Sequence, residues 1–296
     1  MTNTTIATKQ SVSSFQYLNK WLFILTLIWG VVFFTQFDNP VELASNNWPL
    51  IFLGVIGAII GNMTAIGGGL VFIPVMMFVY QLDPVSALKL AFVTQAVGMT
   101  SGATGWLQRK VVPTELLKWT IPGLVLGTLI STFVFHPTPL LVKGLFGPIS
   151  VIVGLLVLIT FNRKGSLDTL PTQALLPLAL VSVLGGVVTG WVAIGEGEII
   201  AAFCMLAFGL KADKAVGLGV ILLAVNSILL ALIHALYFGG VPWDMAIFTM
   251  LGVLWGGRAG PFISQWVSPE KLKKTFAWIA MLDGMMIIFQ VARASL

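Results

Sequence analysis

A chain of 296 residues that is 57% hydrophobic and 9% charged, with a mean hydropathy of +0.98, is far too apolar for an ordinary soluble domain. The expectation is an all-α polytopic membrane protein, with room for about ten spans or half-spans and little left for a soluble domain. Its net charge of +5 comes from basic residues scattered over short loops, which excludes nucleic acid as a partner, and its single Cys204 excludes an intramolecular disulfide or a cysteine-built metal site.

In chain order, residues 1–20 are rich in Ser, Thr and Gln and read as a mobile tail. Trp21 to Phe37 is a first apolar segment; it runs into Asp38 and Glu42 without a small-x-small cleavage site, so it reads as a retained transmembrane helix rather than a signal peptide. Pro49 to Tyr80 is apolar but broken at Gly61-Asn62-Met63-Thr64-Ala65-Ile66-Gly67-Gly68-Gly69. Three consecutive glycines do not continue a stable helix, and unpaired backbone groups in hydrocarbon cost several kcal/mol each, so this tip must be buried in protein or line a wet cavity. Its arms are shorter than the ~20 residues of a comfortable span, which favours a re-entrant hairpin. Further segments follow at about Val85–Trp106, Leu116–Phe135, Leu140–Phe161, a second broken run from Pro177 to Phe208, then Ala212–Phe238, Met245–Ile263 and Thr275–Val291. Trp48, Trp106, Trp119, Trp243 and Trp266 fall near segment ends, where interfacial anchors belong.

The two breaks are copies. A shift of 128 places lays Ala193-Ile194-Gly195-Glu196-Gly197-Glu198 on Ala65-Ile66-Gly67-Gly68-Gly69-Leu70, and with small slips it also pairs Val112-Pro113 with Val241-Pro242 and Gly123 and Gly127 with Gly252 and Gly256. This gives one membrane domain in three parts: 1–47, a tail and an extra helix; 48–165, a first repeat; and 174–296, a second. Each repeat is a broken-helix hairpin plus about three transmembrane helices. Charge decides their relative orientation. Of the 16 basic residues, Lys89 and Arg258 lie inside apolar segments; if each hairpin enters and leaves by one face, the other fourteen divide 12 to 2, with Lys143 and Arg293 the minority. Single crossings would divide them 8 to 6. The positive-inside rule therefore selects inverted-topology repeats and a cytoplasmic N-terminus.

In each hairpin the second arm starts at the tip, so a helix N-terminus with free N–H groups points at the centre, an arrangement suited to an anion. Substrate-binding candidates are Asn62, Thr64, Gly67, Gly68, Gly69 and Gln95 at the first tip and Gly195 and Gly197 at the second. Thr94, Thr100 and Ser101 are neighbours that can equally bond their own helix, and glycines also permit close helix packing. Glu196 and Glu198 are carboxylates in an apolar run, either proton carriers or caps of the helix they begin. Arg258 can pair with one of them, meet the substrate, or snorkel to the interface, as Lys89 is expected to do. His234 reads as a bundle histidine or a proton relay. With His136 in a loop there is no metal-ligand spacing and no cofactor motif. Asp283 is interfacial or paired.

At these residues the sequence resembles the sulfite exporter TauE/SafE family, also called the toluene sulfonate uptake permease family. The resemblance rests on the glycine break followed by Pro74, the turn Asp83-Pro84-Val85-Ser86-Ala87, the basic loop Arg109-Lys110-Val111-Val112, Gly256-Gly257-Arg258-Ala259-Gly260, and Ser268-Pro269-Glu270-Lys271-Leu272. It covers nearly the whole chain after residue 48, and the helix from Trp21 stands outside it. It implies transport of sulfite, organosulfonates or other small organic acids across an inner membrane, while Gly195-Glu196-Gly197-Glu198 places carboxylates where a glycine-rich anion site is expected. The resulting expectation is a secondary transporter or exporter of a small anion, coupled to protons or the membrane potential, with its site between the two tips near the bilayer midplane. The bilayer, the anion and protons are its partners, and a homodimer is compatible with this reading. A passive anion channel is the alternative; an intramembrane enzyme would require a nucleophile motif or metal cluster that the sequence lacks.

Overall fold

The computed structural model describes residues 3–161, 165–264, 266 and 269–294. Arg163, Lys164 and Ser268, and the side chains of Lys271, Lys273 and Asp283, lie outside the described residues. The chain forms twelve α-helices among them: α1 (Asn3–Gln36), α2 (Pro40–Asn47), α3 (Pro49–Thr64), α4 (Gly69–Phe78), α5 (Pro84–Gln108), α6 (Leu117–Leu129), α7 (Pro139–Phe161), α8 (Leu175–Val192), α9 (Glu196–Phe208), α10 (Ala212–Leu232), α11 (Trp243–Ile263) and α12 (Pro269–Ala294). Both α6 and α10 end in a widened π turn, Ile130–Val134 and Ile233–Phe238. Among the described residues five helical segments are long and apolar enough to cross a membrane: Thr114–Val134, Pro139–Thr160, Thr172–Val192, Ala212–Phe238 and Trp243–Ile263. This is an all-α polytopic membrane fold.

Local chemistry sets the boundaries. Left-handed Asn39 (φ 51°) followed by Pro40 breaks α1 from α2, and the two meet at 119°. Asp83 caps α5 by accepting from the N–H groups of Val85 (3.0 Å) and Ser86 (3.1 Å), with Pro84 opening the first turn. Two expectations are corrected. α1 begins at Asn3, so helix runs through the residues read as a tail, because extending a helix from an apolar nucleus costs little even through polar residues. Trp106 is buried instead of anchoring at the interface: its indole N–H donates to the Asn62 carbonyl (2.9 Å), one of the carbonyls that the end of α3 leaves without a helical partner.

Glycine stripes bring the long helices together. Gly252 and Gly256 of α11 lie on the backbone of Ile51 and Val55 of α3, and Gly123 and Gly127 of α6 lie on Ala179 and Val183 of α8. In both pairs the numbers rise together, so the partners run in the same direction. α5 runs with α11, from Thr94 against Thr249 to Arg109 against Ser264, and against α10, from Lys89 at Gly239 to Gln95 at Ser227. α6 runs with α10, Thr128 meeting Asn226 and Phe133 meeting Tyr237. α7 and α12 are antiparallel, Gly147 facing Gly284 and Gly154 facing Ala277. Hence α3, α5 and α11 point one way, and α6, α8 and α10 the other.

The glycine-rich runs are hairpins. α3 ends at left-handed Ala65 (φ 63°), and α4 folds back so that the Phe72 ring lies on Gly57, two turns before the tip. α8 ends at left-handed Ala193 (φ 57°), Gly195 turns the chain at φ 107°, and Glu196 comes back onto Gly185, again two turns before the tip. A side chain at Gly252 would collide with the Ile51 carbonyl, whereas Gly30 has open space around it. We therefore expect Gly252→Leu to cost about 1–3 kcal/mol, seen as a lower melting temperature in detergent, and Gly30→Leu to leave it unchanged.

Candidate functional site

The two tips touch one another. Gly69, opening α4, lies on the Ala193 carbonyl, and Gly197, in the first turn of α9, lies on the Ala65 carbonyl. Each contact is the other shifted by 128 residues. A left-handed residue at a helix end leaves carbonyls without a helical partner, and here a glycine lets the opposite tip approach them. The Ala193 carbonyl is satisfied from the side: Gln95 Nε2 of α5 donates to it at 2.8 Å, and Ser227 of α10 donates to Gln95 Oε1 at 3.3 Å. Gln95 thus joins the second tip to the α5–α10 crossing.

Glu196 and Glu198 stand two residues apart on α9, which at 3.6 residues per turn turns them to nearly opposite sides. Both are buried. Glu198 crosses to the first tip, where Oε1 accepts from the Gly67 N–H at 3.1 Å. Glu196 faces α10 and α6: Asn226 Nδ2 donates to its Oε2, and the Thr128 hydroxyl lies 2.5 Å from Asn226 Oδ1. The Glu196 backbone N–H donates to Thr189 Oγ1 of α8 at 3.1 Å. Glu196 Oε1 and Glu198 Oε2 have no hydrogen-bond partner among the described residues. A buried oxygen left so costs about 1–3 kcal/mol, which makes these two atoms places for a proton, a water or a substrate. Beside Glu198 is a cavity of about 20 Å³ lined by Thr64 and by Thr160 of α7. It has room for about one water and for no organic acid.

The other candidates are placed as follows. Asn62 donates to the carbonyls of Ala58 (2.9 Å) and Gly98 (3.2 Å), and its Oδ1 has no partner among the described residues. Thr64 bonds its own helix at the Ile60 carbonyl (2.8 Å) and accepts from the Ile66 N–H (3.3 Å). Gly68 lies under Phe72, 3.0 Å from its ring for an added Cβ, so a larger residue there would report packing before it reported anion approach. Gly195 supplies the positive φ of the second tip. Thr94 bonds Thr249 at 2.7 Å, and Ser101 bonds the Leu254 carbonyl at 2.7 Å. Arg258 is not at the tips: it donates to Gln108 Oε1 at the end of α5. His234 is buried between Phe92 and Phe238, with ring centroids 5.0 and 5.2 Å away, and neither nitrogen has a hydrogen-bond partner among the described residues. It makes no bond to either tip. Among the described residues no cluster of His, Cys, Asp and Glu could hold a metal.

Thr128, Thr160 and Thr189 are site residues that sequence reasoning missed. Each is a threonine in an apolar run, which by itself signals nothing, but Thr189 falls one turn before a left-handed tip, where a hydroxyl reaches the backbone beyond the break.

Broken helices meeting inside an all-α polytopic membrane fold, with buried carboxyls at the junction, are the arrangement of a membrane transporter. Residues 50–287 match the family described as Sulfite exporter TauE/SafE, and the chain belongs to that family. It is 24% identical over 258 residues to the "Probable membrane transporter protein YjnA" of Bacillus subtilis (strain 168), covering 81% of this chain and 98% of that one. It is 21% identical over 269 residues to the "Probable membrane transporter protein YunE" of the same organism, covering 81% and 97%. No solved structure matches the chain.

The Glu196–Asn226 contact can be weighed directly. Asn226→Leu removes the donor to a buried carboxyl and should cost about 1–3 kcal/mol of stability. In a double-mutant cycle with Glu196→Leu, melting in detergent should show the second substitution costing much less once the first is made. Additive losses would mean that the contact carries no energy.

Proposed function

We propose that the protein is a secondary transporter of a small anion, sulfite, an organosulfonate or another small organic acid, with its site between the two glycine-rich tips near the bilayer midplane. The observation that carries this is the Glu198 carboxylate on the Gly67 N–H. The first tip presents a backbone donor suited to an anion, and the anion it now holds is the protein's own. Protonating Glu198 would weaken that bond and free the donor for a substrate anion, so proton and substrate would travel together. Direction would then follow the sum of the anion gradient, the proton gradient and the membrane potential, and export is the direction the family name suggests. Glu196, held by Asn226, is the second carboxyl able to take a proton, and His234 a third group outside the tip contact. Arg258 would act on the substrate at a distance from the tips, where it can draw anions toward the protein.

The two halves, 48–165 and 174–296, would be inverted repeats. Three helix directions support this: α3, α5 and α11 run opposite to α8, α10 and α6, their counterparts in the other half. Together with the 12 to 2 division of basic residues, this argues for a cytoplasmic N-terminus in the cell's inner membrane, with 1–47 as an added helical segment. A homodimer fits the same reading.

Flux into proteoliposomes tests the coupling, using sulfite, sulfoacetate, sulfate and short carboxylates as the panel. Wild-type exchange of the preferred anion should rise as pH falls. Glu198→Gln mimics the protonated side chain, so it should keep exchange, lose its pH dependence and lose accumulation driven by a pH gradient. Glu198→Gln with the wild-type pH profile would rule Glu198 out as the carrier, and the same assay on Glu196→Gln and His234→Gln would then decide among the remaining groups. Downhill flux with no counterflow of labelled substrate would identify a channel.

Orientation has its own test. Single cysteines at Lys110 and Asp244 in a Cys204→Ala background should react with an impermeant thiol reagent from opposite faces of the membrane. Reaction from the same face would refute the inverted arrangement.

A further inference from the structure

Glu198 has one oxygen that the contact between the tips does not use. Oε1 accepts from the Gly67 N–H at 3.1 Å, while Oε2, on a side chain only 4% exposed, has no hydrogen-bond partner among the described residues. Glu198 lines the cavity of about 20 Å³ together with Thr64 of α3 and Thr160 of α7. These three side chains share one deficiency. The Thr160 hydroxyl donates within its own helix, to the carbonyls of Leu156 (2.9 Å) and Val157 (3.0 Å), and the Thr64 hydroxyl donates to the Ile60 carbonyl (2.8 Å). Both threonine hydrogens are in use, so what each has left to offer is a lone pair, and an ionised carboxylate also only accepts. Acceptors facing one another need something that brings hydrogens. A water does so, in a cavity with room for about one and with the three partners that buried waters typically have.

The remaining lining shows which way that water connects. Along α9 it consists of Ala201, Ala202 and Met205, all on the side of Glu198 away from the tip, with Val157 of α7 and Val216 of α10 opposite. Met205 is three residues, about 5 Å, from the end of α9, and Thr160 is one residue from the end of α7. Both ends lie at one face. There the Lys211 N–H donates to the Leu167 carbonyl (3.0 Å), and exposed Asp168 pairs with Lys211 (2.9 Å) and Lys214 (3.3 Å). Charged groups around Glu198 are few. α3, α4 and α8 carry none, and Glu196 of α9 turns toward Asn226. Lys143 of α7 is at that helix's far end, Lys89 of α5 is bonded to the Gly239 carbonyl at the opposite end of α10, and Asp213 and Lys214 of α10 are in its first turn. Among the described residues no charged side chain lines the cavity between Glu198 and that face, which leaves a water to carry a proton across it.

We propose that Thr64 and Thr160 hold one water on Glu198 Oε2, and that Glu198 takes its proton through this water from the face where α7 and α9 end, with Thr160 as the positioning residue. This rests on the reading of Glu198 as the proton carrier. In the transfer an O–H bond of a hydronium in the cavity breaks, its electron pair stays on the water oxygen, and a new O–H bond forms at Oε2; carboxylate and hydronium become carboxyl and water. The new hydroxyl is the donor that the cavity lacked. The route lies wholly on one side of the contact between the tips, so Glu198 is loaded from one face while the tips are together. In the inverted arrangement that face is the cytoplasmic one.

The test follows proton arrival itself, without anion or flux. Rapid-scan infrared spectroscopy of the purified full-length protein after a downward pH jump should show a carboxyl C=O band that Glu198→Gln removes. Thr160→Val keeps nearly the same volume without the oxygen and should slow the appearance of that band about tenfold, the equivalent of one hydrogen bond to the water. Thr160→Ser should restore the wild-type rate, which a merely structural role for the side chain does not predict. Ala202→Val narrows the cavity on the side toward the face and should slow the band as well. A wild-type rate in Thr160→Val or in Ala202→Val would overturn the route and leave Glu198 as the carrier, whereas a Glu198→Gln protein with the wild-type spectrum would overturn both. If one of the two route variants is not monodisperse, the other decides.

Discussion

A polypeptide that leaves its helix inside a bilayer must find partners for every backbone group it frees, and the architecture of this protein follows from that demand. The helix breaks twice, at Ala65 and at Ala193, and the two tips pack against one another. Each left-handed alanine turns its carbonyl toward the first turn of the opposite hairpin, and a glycine, Gly69 or Gly197, gives it room. Neither tip would be stable alone in hydrocarbon. The helices around them hold this junction together: Gln95 reaches the Ala193 carbonyl from α5, and Trp106 reaches the Asn62 carbonyl near the end of α3. The glycine stripes that let α11 lie on α3 and α6 lie on α8 are what bring each first arm deep enough for its tip to meet the other.

The junction is symmetric in its two glycine–carbonyl contacts and asymmetric in side chains. The second tip has carboxylates where the first has Gly68 and Leu70, and the turn of the helix between Glu196 and Glu198 sends one to Asn226 and the other to Gly67. One is held by a neutral side chain, the other by a backbone donor. A proton on either would therefore be felt by a different part of the protein: at Glu196 by the pair α6–α10, at Glu198 by the contact between the tips. This difference arises from a spacing of two residues, which no mirrored pair of glycine tips could provide.

Much of this was legible in the sequence, because the constraint that shapes the tips also limits which residues can form them. An apolar run interrupted by glycines and repeated at 128 residues identified both breaks and predicted that each begins a helix at the tip. At the same offset the structure adds a further pair, Gly57 and Gly185, which seat the returning arms. What sequence could not separate was the purpose of the glycines. A glycine that admits an anion and one that admits a carbonyl look the same, and Gly69 and Gly197 admit carbonyls. Trp106 was misplaced, and Arg258 left open among several roles, for a related reason: their neighbours, Asn62 and Gln108, come from other helices, and spacing along the chain carries no information about them. The threonines at 128, 160 and 189 were invisible because a threonine can always bond its own helix.

The unpartnered oxygens of Glu196 and Glu198 bear on how such a junction could work. A protein selected for stability alone would place glutamine or a small apolar residue there, since each orphan oxygen costs about as much as a strong hydrogen bond contributes. Keeping two carboxyls in the packed contact between broken helices weakens that contact, and weakened buried contacts are where a bundle can open locally. The cavity of about 20 Å³ at Glu198 already separates it from Thr160 of α7. Parting the tips there would expose the Gly67 N–H, Thr64 and both carboxyls together, so the residues that destabilise the closed junction are the ones that would line the open one.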